Sequence, residues 1–72
     1  MKTIDLAGPE GNAYALMGYA KEWGKQLGKN TDDIINRMKS DDYENLVNVF
    51  VEEFQDVCEV YTVKGDLWTL DG

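Results

Sequence analysis

The sequence has no histidine, one cysteine and one proline, and no lysine or arginine stands between residues 40 and 63. Each absence narrows what the chain does. Without histidine it lacks the one side chain whose ordinary pKa lies near neutrality, the usual catalytic base and metal ligand. Cys58 cannot close an internal disulfide, and neither zinc spacing nor a basic neighbour that would activate a thiol accompanies it. It reads as a small core residue. No apolar run approaches the roughly 20 residues needed to cross a bilayer, and "KTIDLAG" after Met1 lacks the apolar segment of a signal peptide. A reduced cytoplasmic compartment and no membrane association are expected.

Positive charge is the next scarcity. Net charge is −7, and it is unevenly placed: residues 1–39 hold six Lys/Arg against five Asp/Glu, residues 40–72 one against nine. The second half repels phosphate backbones and anionic lipid, so direct nucleic-acid binding is not expected. At 72 residues the chain reads as one domain, 1–72, near the size at which a core alone is marginal.

What is present is a clear alternation of patterns. "KTIDL" alternates polar and apolar residues, so Ile4 and Leu6 share the buried face of a short strand. Pro9 suits the first position of a helix, with Glu10 in its first turn. Ala13, Leu16, Met17, Ala20, Trp23, Gly24 and Leu27 then recur at helical spacing, and Gly28 suits a left-handed stop. Thr31 is placed to cap a second helix carrying Ile34, Ile35 and Met38 inward. Ser40 or Asp41 caps a third, Asp41 and Glu44 having capping-box spacing. Its apolar stripe of Tyr43, Leu46, Val47, Phe50, Val51 and Phe54 is unbroken. "VCEVYTV" reads as a strand, "KGD" as a turn and "LWTL" as a returning strand. The fold expected is α+β in the order β-α-α-α-β-β, with helices packed on one face of a two- or three-stranded sheet.

No catalytic, cofactor or metal-binding residue is assigned. "GPEGNA" leads into a helix as a phosphate loop does, but Gly8 and Gly11 match no phosphate-binding pattern and Glu10 would sit where the anion must go. Asp32–Asp33 and Asp41–Asp42 are adjacent, so on a helix they diverge by about 100° and form no dyad. The calcium-loop pattern is absent. Trp23, Phe50 and Phe54 belong to the core, while Trp68 covers the sheet or lies exposed. Gly24 lies on the buried stripe of the first helix, where another element approaches closely. Gly18 lies opposite, with Tyr14 and Ala15, on a face that is either plain surface or a partner surface.

The third helix breaks a local rule. Glu52, Glu53 and Asp56 crowd its C-terminal end against the macrodipole, and no lysine or arginine lies at i,i+4 to offset them. Asn45, Asn48, Glu52 and Asp56 point away from the apolar stripe on a helical wheel, with Val49 exposed beside them. These six residues, Glu53 included, form the expected partner-binding ridge, suited to docking on a basic surface. The plainer alternative is a solvated face.

Gly11-Asn12-Ala13-Tyr14, followed later by Ser40, Asp42, Tyr43 and Leu46, resembles a group of short bacteriophage and mobile-element proteins. Those pair a G-N-A-aromatic helix start with an S-G-D-Y-x-x-L segment; here Asp41 replaces the usual glycine. The resemblance covers residues 8–54, leaves the C-terminal hairpin uncovered and brings no active-site role. It implies a phage-encoded accessory protein working in the host cytoplasm. The function expected is binding of a host protein with a basic surface, by inhibition or nucleic-acid mimicry, without enzymatic activity or cofactor. The alternative is a structural homo-oligomer, such as a homodimer, pairing through a strand edge or the Tyr14–Gly18 face.

Overall fold

The structure, a computed structural model, describes residues 1–70; Asp71 and Gly72 lie outside the described residues. Five elements follow one another: β1 (Lys2–Asp5), α1 (Ala13–Gln26), α2 (Thr31–Lys39), α3 (Tyr43–Phe54) and β2 (Cys58–Tyr61). It is a mixed α+β architecture of three helices and a two-stranded sheet. The strands run parallel, Lys2 opposite Cys58 and Asp5 opposite Tyr61. Parallel strands need a long crossover, and all three helices serve as it. Ile4, Cys58 and Val60 are buried in alternation along the two strands.

Helix α1 begins later than Pro9. The chain first makes two tight turns, Gly8 N–H donating to the Asp5 carbonyl at 3.0 Å and Gly11 N–H to the Gly8 carbonyl at 3.1 Å. Asn12 then caps the helix, its side chain accepting from Ala15 N–H at 2.9 Å. Glu10 is therefore outside the first turn and reaches instead to Tyr19 and to Lys2 Nζ, 3.5 Å away. Gly11 is fixed by contact: a Cβ there would stand 1.9 Å from the Leu6 carbonyl oxygen. Gly24 behaves as expected, its missing Cβ leaving room for Thr31 Cγ2 at 2.4 Å, and Gly28 ends α1 at φ +70°.

The other caps move by one or two residues. Asn30, rather than Thr31, accepts from Asp33 N–H at 3.0 Å to start α2. Asp42, rather than Ser40 or Asp41, accepts from Asn45 N–H at 2.9 Å to start α3. Ser40 is occupied in closing α2, its hydroxyl donating to the Arg37 carbonyl at 2.7 Å.

Phe50 and Phe54 are wholly buried with Ile4, Leu16, Met38 and Val47. Trp23 lies against both phenylalanine rings at 5.8 and 5.9 Å between centroids, and Tyr19 stacks on Trp23 at 4.8 Å. The expected third strand is reduced to a single antiparallel bridge, Tyr61 with Leu67. A turn through Gly65 (φ +88°) brings the chain back, and Trp68 N–H donates to the Val60 carbonyl at 2.7 Å. There the segment leaves the sheet, because the Trp68 indole N–H is held by Asn48 Oδ1 on α3 at 2.8 Å. Among the described residues no helix is long and apolar enough to cross a membrane.

Candidate docking surface

Helix α3 packs on α1, α2 and β2 and is crossed by the C-terminal segment. Its residues fall into rows four apart. Leu46, Phe50 and Phe54 form the buried spine. Asn45, Val49 and Glu53 form the flank turned to α2. Glu44, Asn48 and Glu52 form the flank turned to the C-terminal segment, and Asp56 lies just beyond the helix end.

The α2 flank is closed. Asn45 Nδ2 donates to the Arg37 carbonyl at 3.0 Å, satisfying an acceptor at the end of α2. Glu53 accepts from Arg37 Nη2 at 2.6 Å and Lys29 Nζ at 3.1 Å, and Arg37 Nε also donates to Asp33 at 3.1 Å. One carboxylate thus ties α3 to α2 and to the loop between α1 and α2. The Arg37 guanidinium, helped by Lys29, holds the Glu53 carboxyl below the usual carboxylate range although partial burial opposes this. Val49, between Asn45 and Glu53 in the row, is only 8 % exposed. Three of the six residues expected to form a partner-binding ridge are therefore committed inside the molecule. The expectation that Val49 is exposed and Glu53 unpaired is overturned. A search confined to i,i+4 partners does not reach cations 16 and 24 residues away in sequence.

The other flank is open. Asn48 is committed to Trp68, but Glu52 and Asp56 are exposed, and among the described residues neither has an ion-pair partner. A groove of about 640 Å³ runs between this flank and the C-terminal segment, rimmed by Glu44 and Glu52 and walled by Leu67, Trp68 and Leu70. Leu67 and Leu70 remain 48 % and 38 % exposed. A second groove, about 410 Å³, lies across the segment beside Val51, Gln55 and Glu59. The arrangement can accept an apolar side chain next to a cation. Glu44, Leu67 and Leu70 were missed from the sequence; the spacing of Glu44, Asn48 and Glu52 carried the signal for the first. The leucines were hidden in a segment read as a strand.

Cys58 is 4 % exposed, and burial pushes its thiol up to about 11, with Lys2 opposing weakly. Among the described residues no three histidine, cysteine or acidic side chains converge where they could hold a metal ion. Comparison with protein families, curated proteins and solved structures gives no match.

Proposed function

We propose that this chain is a non-enzymatic interaction protein that docks on a basic protein surface through the open flank of α3 and the C-terminal segment. The observation that carries the reading is the groove itself: exposed Leu67 and Leu70 beside Glu44 and Glu52, with no cation in its lining among the described residues. Apolar anchors give contact energy, and unpaired carboxylates around them steer a cationic partner into place. The resemblance over residues 8–54 adds the setting, a phage-encoded accessory protein acting on a host protein in the host cytoplasm. Carboxylates standing in for nucleic-acid phosphates are one form of such docking.

The test is a comparison of wild type with a Glu44→Lys, Glu52→Lys, Asp56→Lys triple variant as baits in host lysate. The expected result is a protein retained by wild type and lost with the variant. Its affinity for wild type should fall as salt rises from about 50 to 300 mM, where the Debye length contracts below ~10 Å. Equal retention by both baits, or affinity indifferent to salt, overturns the reading.

A further inference from the structure

Gly18 is the one glycine inside a helix that the fold does not explain: a Cβ there would meet nothing within 4 Å, whereas one at Gly24 would strike Thr31. Beside it Tyr14 is 86 % exposed, the most exposed large apolar side chain of the molecule's described part. Two grooves flank this ridge. One, about 540 Å³, reaches to α2, with Met17 and Ile35 as its apolar floor and Lys21 and Lys39 at its mouth. The other, about 400 Å³, holds Ala15 and Tyr19 with Glu10 and Glu22. Among the described residues Lys21, Lys25, Lys39 and Glu22 have no ion-pair partner, while Glu10 is paired with Lys2.

We propose that two copies of the chain pair through this face, α1 beside α1 and parallel to it. The charges decide both occupant and direction. With Glu10 taken up by Lys2, the free charges beside Gly18 are Lys21 and Lys39 on one side and Glu22 on the other, so the face carries both signs and suits a second copy better than a surface of single sign. A two-fold axis along α1 sets the basic flank of each copy on the acidic flank of the other; the antiparallel arrangement sets like on like. At about 100° per residue, Tyr14 and Lys21 lie to one side of Gly18 and Ala15 and Glu22 to the other. Pairing therefore brings Tyr14 over Ala15 of the second copy and Lys21 to Glu22 of the second copy. Gly18, without a side chain, lets the helices approach. This surface is separate from the open flank of α3, and neither proposal depends on the other.

One helix with its two grooves is smaller than the ~800 Å² per partner of a standard interface, so the pairing is weak and is read between about 10 and 100 µM. Sedimentation equilibrium should show the mass rising from 8.2 kDa toward twice that value across this range. Lys21→Glu alone and Glu22→Lys alone should each weaken pairing about tenfold, since each puts like charges together at two symmetric places. Mixed in equal amounts, the two variants should associate at least as well as wild type, because every 21–22 contact is then attractive. Tyr14→Ser should abolish pairing without changing the helical circular dichroism. A mass fixed at 8.2 kDa up to about 1 mM overturns the proposal. So does a dimer indifferent to all three substitutions, or a mixture that associates no better than its components.

Discussion

Glu52 and Glu53 are neighbours in sequence and identical in chemistry, yet α3 turns them to different duties. Glu53 holds Arg37 and Lys29 and is one-fifth exposed; Glu52 lies on a groove rim, with no cation partner among the described residues. The same division separates Asn45, which closes α2, from Asn48, which tethers Trp68. A helix at the surface of a domain has one inner and one outer face. Helix α3 is instead enclosed on most sides, and solvent reaches it along the flank of Glu44 and Glu52, at Tyr43 and past its C-terminal end. A charge on such a helix is structural or available according to a rotation of about 100°.

The sharpest way to break this comparison is to remove the spine on which both flanks hang. Phe50→Ala should cost ~3–5 kcal/mol by cavity formation, a fall in melting temperature of more than about 12 °C for a domain of this size. A loss of a few degrees only would mean that the spine is elsewhere and the flanks are wrongly divided.

Next is Glu53→Ala, expected to cost about 1–2 kcal/mol, less than a fully buried charged hydrogen bond because both partners keep solvent contact. Acid titration sharpens it. The folded carboxyl of Glu53 is held below its ordinary value, so its contribution is complete above the unfolded pKa of ~4.3 and is lost as pH falls through the folded value. Thermal melts of Glu53→Gln should therefore show a flatter loss of stability than wild type below about pH 4.3. Parallel slopes would remove Glu53 from the structural flank.

Smaller effects separate the asparagines. Asn48→Ala should cost ~0.5–1.5 kcal/mol and red-shift Trp68 fluorescence, measured in a Trp23→Phe background. Asn45→Ala should cost a similar amount and leave that emission unchanged. The smallest effect is expected at Glu52→Lys, within ~0.5 kcal/mol of wild type in chemical denaturation. A cost above about 1 kcal/mol would give Glu52 a structural duty and end its distinction from Glu53.

The three helices were legible because Leu16, Ala20, Ile34, Met38, Phe50 and Phe54 repeat at 3.6-residue spacing, a property each helix carries in its own sequence. Helix starts were less so: Pro9 is a sound first residue locally, but Gly11 must pass within contact of the Leu6 carbonyl, and that contact places the turn before the helix. Strand pairing was not legible, since "KTIDL" and "VCEVYTV" do not specify direction. Of the six ridge residues only Glu52 and Asp56 remain exposed. The wheel sorted them by one inner face, while the second and third buried sides come from α2 and Trp68, remote in sequence.

The parallel pairing of β1 with β2 has a consequence for how the molecule is made. Lys2 waits for Cys58, 56 positions later in the chain. At about 5–20 residues per second of synthesis, β1 spends roughly 3–11 s as an unpaired strand, with Ile4 and Leu6 lacking their cover. The helices are local and form within microseconds, but the sheet joins the first strand to the last as a clasp. The pairing of widest sequence separation in the fold is therefore also among the last that synthesis makes possible.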